Sequence, residues 1–258
     1  MRMVEPLLAE LVTIAGDQND PIPAYLARPL GAGPYPGIVV IHHMPGWDES
    51  TWESARRFAT NGYIALCPNL HHRDAPGADP DDAAAAARAN GGVPDHRFLG
   101  DCAGALRHLR AMPSCSGRVA TIGYCSGGRQ SFLAACDLDP DAAVVCYPGL
   151  IVGDPPPGTT MKITPIIDRA GGISCPLLGL FGMDDTRPSP DHVAEIDAAL
   201  TRAGKEHEFH MYEGAGHGFF DSDRPSYRVE AAGEGWRRIW GFLQRTLHPA
   251  ESSRPTVD

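Results

Sequence analysis

Short unbroken apolar runs recur along this chain and alternate with stretches in which apolar residues return every three or four positions. The runs at 37–42, 63–67, 119–123, 142–147 and 177–182 have no polar alternation, as expected of strands buried on both faces of a parallel sheet. The segments at 94–112, 189–203 and 227–247 carry the helical period, the first through Phe98, Leu99, Cys102, Leu106 and Leu109. Residues 7–14 and 22–27, joined by a turn-rich Gly16-Asp17-Gln18-Asn19-Asp20-Pro21, read as an antiparallel pair at the sheet edge. After the run at 37–42, Asp48 or Ser50 can cap a helix that Gly62 stops. Pro68 ends the next strand, and 207–212 forms a last one. The pattern predicts an α/β fold, a mostly parallel sheet wound with helices on both faces.

Two segments depart from this rhythm. The alanine run at 81–89 favours a helix but lacks large apolar side chains, so it is expected on the surface as part of a mobile cap. Residues 149–172 are rich in Pro and Gly and show no period, which marks an insertion near the site. Residues 1–247 are expected to form one domain, with 248–258 as a flexible tail.

Composition narrows the choice of function. The net charge is -10 and there is no Lys/Arg run, which argues against nucleic acid or an anionic membrane as partner. No apolar run is long enough to span a bilayer, and the first residues lack the regions of a secretory signal, so a cytoplasmic location is expected. The cysteine count is odd, seven, and no Cys-x-x-Cys occurs, which points to reduced thiols rather than a disulfide framework or a zinc knuckle.

The chemistry gathers around Gly123-Tyr124-Cys125-Ser126-Gly127-Gly128, where an apolar strand runs into a glycine-flanked cysteine and then a helix. Gly-x-Cys-x-Gly is the thiol form of a nucleophile elbow, and a thiol there meets the free amides and positive dipole end of the helix. The other reading is a small buried cysteine at a strand end. Residue order downstream favours the nucleophile. Open α/β sheets place their chemistry at the carboxyl ends of strands. Gly182-Met183-Asp184-Asp185 ends one late strand in carboxylates, and the next is followed by Gly214-Ala215-Gly216-His217-Gly218. Nucleophile, acid, histidine is the α/β-hydrolase order. His42-His43 and His71-His72 invite a metal reading, but neighbouring side chains of a strand point to opposite faces, so neither a metal nor an organic cofactor is expected.

With these motifs, and with Asn61-Gly62-Tyr63 and Cys67-Pro68, the chain resembles the dienelactone hydrolase family over most of its length. The resemblance implies Cys125 as nucleophile, His217 as general base and acid, and Asp185 as the carboxylate that orients the imidazole, because the family's acid comes three residues after the glycine. It implies an oxyanion hole made by the amides of Met44 and Ser126. Two positions differ from the family: His43 stands where a glutamate pairs with the thiol, and Asp221 stands where an arginine binds the substrate carboxylate. Arg88 lies near the place of the family's other arginine. Together with Tyr124 these are the expected substrate contacts, and Arg73, Arg88 or Arg224 could replace the missing cation. The expected substrate is a small neutral ester or lactone rather than a carboxylated dienelactone, since Asp221 would repel an anion. The competing function is a thiol protein that binds or senses an electrophile without hydrolysis.

Overall fold

The structure, a computed structural model, describes residues 6–155 and 157–248, so residues 249–258 of the expected tail lie outside the described part. One eight-stranded sheet organises it. Its strands are β1 (Leu7–Ala15), β2 (Pro21–Pro29), β3 (Tyr35–Ile41), β4 (Ile64–Pro68), β5 (Cys115–Tyr124), β6 (Ala142–Cys146), β7 (Leu177–Gly182) and β8 (His207–Tyr212). They lie in the order β1-β2-β4-β3-β5-β6-β7-β8. The β1–β2 and β2–β4 pairs are antiparallel and the remaining pairs are parallel.

The helices are α1 (Glu49–Ala59), α2 (Pro80–Ala89), α3 (Asp95–Ala111), α4 (Ser126–Asp137), α5 (Pro190–Arg202) and α6 (Val229–Leu247). Ile38 and Val40 point to one face of the sheet, where Phe58 of α1 and Phe242 and Leu243 of α6 pack on them. Val39 and Ile41 point to the other, beneath Phe98 and Leu106 of α3 and Phe132 of α4. Alternation along a strand buried on both sides therefore builds two cores. The arrangement is the α/β-hydrolase fold.

The expected elements form within a few residues of their predicted limits, with two informative differences. β5 starts at Cys115, ahead of its apolar run, because Cys115 pairs with Tyr35 across an irregularity in the β3–β5 ladder. The alanine helix α2 lies at the surface as expected but has a packing face that the pattern did not show: Ala83, Ala84 and Ala87 are buried. Methyl groups let a helix approach closely, so a stripe of alanines serves as a packing face where the pattern of large side chains shows none. The end of α2 is tied to the 149–172 insertion, since Lys162 N–H donates to Gly91 O at 2.7 Å and the Thr160 hydroxyl to Arg88 O at 3.0 Å.

Parallel register is what assembles the site. Tyr124 of β5 pairs with Cys146 of β6, Cys146 with Leu180 of β7, and Gly182 with Tyr212 of β8. Four consecutive strands thus end at one edge of the sheet, followed by Cys125, Tyr147, Asp185 and His217.

Candidate active site

Cys125 lies between β5 and α4 with φ 54° and ψ −117°, a conformation that non-glycine residues seldom adopt. The chain reverses so sharply that a Cβ on Gly123 would collide with Gly127 O, and one on Gly127 with Ile41 O. These two glycines let strand, turn and helix pass one another at backbone distance. Cys125 N–H donates to Cys146 O at 3.0 Å, and its own carbonyl accepts from Arg129 N–H at 3.2 Å. The backbone is held from both sides while the side chain stays half-buried at the cleft.

Asp185 is buried and His217 reaches it from the next loop. The His217 Nδ1–H donates to Asp185 Oδ2 at 2.8 Å, and the other carboxylate oxygen accepts from Arg187 N–H at 2.8 Å. Neighbouring Asp184 is exposed. Tyr147, at φ 37° beyond β6, sets its ring 5.1 Å from the imidazole. Burial of the imidazole disfavours its charge, but hydrogen bonding and electrostatic interaction with Asp185 and Cys125 outweigh this and raise its pKa to about 10. The ring therefore carries its proton at neutral pH while remaining 39% exposed to the cleft.

That cleft, of about 240 Å³, holds Cys125 and His217 together with Met44 and Ser126. Ser126 opens α4, so its amide has no carbonyl one turn earlier to bond, and the Met44 amide donates no backbone hydrogen bond among the described residues. Neither amide is committed to a backbone hydrogen bond among the described residues. The wall is apolar, formed by Pro148, Leu150, Ile151, Val152, Met161 and Ile163 from β6's end and the insertion, with Pro188 and Ile196 opposite. The aperiodic insertion does line the site.

The remaining expected contacts fall elsewhere. Asp221 belongs to a second, smaller cleft with His43, Ser50, Tyr124, Tyr147 and Trp236. It accepts from Arg224 Nε at 2.8 Å, so its charge is paired and turned away from the thiol's cleft. The expectation that Asp221 repels anions from the substrate site is corrected on this ground. Tyr124 is buried in the same second cleft, its ring 5.8 Å from that of Phe220. His43 faces it too, with Nε2 at 2.7 Å from Asp48 Oδ2. Asp48 in turn accepts from Thr51 N–H and caps α1. Burial would raise its pKa, but the bonds from His43 and Thr51 lower it to about 2.

None of the three arginines named from sequence lines the main cleft. Arg73 holds Asp101 through two bonds of 2.8 and 3.0 Å, Arg224 holds Asp221, and Arg88 is exposed on α2. The cleft has two others, Arg129 and Arg187, which sequence reading missed. Arg129 was within reach of a spacing argument, because it follows Cys125 by one helical turn and must lie near the same face. The paired histidines also diverge. His42 donates from Nδ1 to His43 O at 2.9 Å and accepts at Nε2 from Leu70 N–H at 3.2 Å, which leaves neither nitrogen for a metal.

The sequence profile of the dienelactone hydrolase family matches residues 22–247. A protein of Synechocystis sp., provisionally named carboxymethylenebutenolidase, is 30% identical over 250 residues, covering 95% of this chain and 100% of its own. One of the same provisional name from Escherichia coli (strain K12) is 33% identical over 237 residues, 88% of this chain and 84% of its own. Among solved structures, a protein of Klebsiella pneumoniae provisionally named dienelactone hydrolase superposes with a TM-score of 0.81 at 30% identity, covering 93% of this chain and 100% of the other.

Proposed function

Because the chain belongs to the dienelactone hydrolase family, and is therefore a carboxylic ester hydrolase acting on a small-molecule ester or lactone, we propose that it works by covalent thiol catalysis with Cys125, His217 and Asp185. The observation that carries this reading is one cleft holding both the elbow cysteine and an imidazole whose Nδ1–H is anchored on Asp185 at 2.8 Å. The Cys125 thiolate attacks the carbonyl carbon, and the electron pair moves onto the oxygen between the Met44 and Ser126 amides. Protonated His217 then gives its proton to the departing alkoxide as the carbon–oxygen bond breaks, leaving a thioester.

Acylation consumes the negative charge on sulfur, and with it the bond and charge that raise the imidazole's proton affinity. A neutral His217 can then take a proton from water as the hydroxide attacks the thioester, and expulsion of the thiolate restores the resting site. Asp185 holds the ring in one tautomer throughout. Esters fit this machinery better than amides, because an alkoxide leaves more readily than an amine and the thiolate is a good leaving group in the reverse direction.

The apolar wall favours a largely apolar acyl group of modest size, and the charge of Arg129 is met by Asp95. Hydrolysis of p-nitrophenyl acetate, compared between the wild type and Cys125→Ala, tests the catalytic assignment. A loss of about a thousandfold or more is expected, with an acyl thioester on Cys125 visible by mass spectrometry of the quenched wild type. Equal turnover by the variant would assign the nucleophile elsewhere.

A further inference from the structure

Next to the thiol's cleft lies a small chamber of about 20 Å³, lined by His42, His71, Gln130 and Arg129, with Met44 and Met161 common to both spaces. The two spaces share Ser126, the residue after the nucleophile. Two atoms on residues that line it are chemically unspent. Arg129 Nε and His71 Nδ1 are buried and have no hydrogen-bond partner among the described residues. The residues that carry them are 3% and 2% exposed.

The other polar atoms of Arg129 and His42 are committed. The terminal nitrogens of Arg129 bond both oxygens of Asp95, at 2.7 and 3.0 Å, and the Thr164 carbonyl at 2.8 Å, so its charge is balanced and only the Nε–H remains to donate. His42 is saturated at both nitrogens and sets its ring edge-on to His71, with centroids 4.6 Å apart. His71 is held neutral by burial, reinforced by His42 and the arginines Arg97 and Arg88, which together lower its pKa to about 2. A buried donor and a neutral imidazole nitrogen left unbonded cost the fold free energy, which a ligand atom satisfying both recovers.

Resting on the catalytic reading above, we propose that this chamber is an oxygen-binding subsite for the acyl group, and that the substrate is a neutral ester or lactone bearing a hydroxyl or oxo oxygen on its acyl portion. Size and charge select this chemistry. The chamber has room for about one water-sized group, which admits a single oxygen and is tight for a carboxylate with two. Arg129, its charge already met by Asp95, offers one neutral-strength hydrogen bond rather than a salt bridge. A hydroxyl can accept from Arg129 Nε–H while donating to His71 Nδ1, and an oxo group can accept from both if the imidazole carries its proton there.

The test compares isosteric ester pairs, each corrected for its spontaneous hydrolysis rate: p-nitrophenyl 3-hydroxybutanoate against 3-methylbutanoate, and 4-oxopentanoate against 4-methylpentanoate. In the wild type the oxygenated member of at least one pair is expected to have a kcat/KM higher by about tenfold. His71→Phe, which fills the chamber, and Arg129→Lys, which keeps a cation against Asp95 but removes Nε–H, should each bring that ratio near one. Equal rates within both wild-type pairs, alongside normal Cys125-dependent turnover, would overturn the subsite and leave the catalysis intact. A ratio that persists in both variants would overturn it as well. Absence of Cys125-dependent turnover with every ester would remove the catalytic reading and the subsite with it.

Discussion

Two of the protein's histidine–carboxylate pairs are of nearly equal length, His217–Asp185 at 2.8 Å and His43–Asp48 at 2.7 Å. Both follow carboxyl ends of parallel strands, yet their surroundings differ. His217 bonds its carboxylate through Nδ1, which leaves Nε2 for the cleft and the thiol, and 39% of the side chain is open. His43 uses Nε2 itself, has 13% of its side chain open, and shares Asp48 with the first turn of α1. A short bond between imidazole and carboxylate therefore says little about catalysis. What decides is which nitrogen remains and what it faces, together with whether the carboxylate has a second, structural duty.

The largest expected effect comes from removing each imidazole. His217→Ala should lower kcat/KM for a neutral ester by about a thousandfold, whereas His43→Ala should change it less than about fivefold. Steady-state kinetics on the two folded variants checks this, and comparable losses would place His43 in the catalytic chemistry. Next come the carboxylates at the end of β7. Asp185→Asn should cost about a hundredfold or more in kcat, since the amide no longer holds the imidazole's tautomer, while exposed Asp184→Asn should stay within about twofold. The reverse ranking would move the acid by one position.

A third measurement concerns histidines of neither pair. Burial keeps His42 and His71 neutral in the fold, with pKa values of about 4 and about 2 against 6.5 in the unfolded chain. Below pH 6.5 the unfolded state takes up protons that the folded state refuses, so stability should fall with falling pH, by up to about 1.4 kcal/mol per pH unit for each ring. The His42 share is complete near pH 4. His72, His108 and His210 are shifted in the same direction. His217, with its raised pKa, acts oppositely: its stabilisation is whole below 6.5 and is lost as pH rises through about 10. Urea titrations between pH 7.5 and 4.5 should show midpoints declining below 6.5, and a flat profile would mean that the two rings ionise within the fold.

The smallest effect belongs to the structural pair. Asp48→Ala removes the cap of α1 and the partner of His43, at a cost of about 1 kcal/mol or slightly more, which is a few degrees in Tm for a chain of this size. Thermal melts at neutral pH would check it. Unchanged stability together with a large kinetic defect would reverse the roles assigned to the two pairs.

The order Cys125, Asp185, His217 was legible without coordinates because strand–helix alternation with one-handed crossovers brings the carboxyl ends of the parallel strands to the same edge. Local chemistry sufficed there: glycines at 123 and 127 for the turn, unbroken apolar runs for the parallel strands, and an aperiodic stretch beside the cleft. The facing of charges was not legible. Four residues after His217, Asp221 N–H bonds back to Gly218 O and the carboxylate turns to Arg224, so a position near that histidine in sequence opens on another cleft. The alanines of α2 look like a surface from their size and become a packing face once the backbone comes close. His71 and Arg129 lie far apart along the chain, and only the tertiary structure shows that both are buried at one chamber with an atom unpaired. Periodicity and turn chemistry act over a few residues and are written in the sequence, whereas burial and the partner of a charge depend on every element that packs around it.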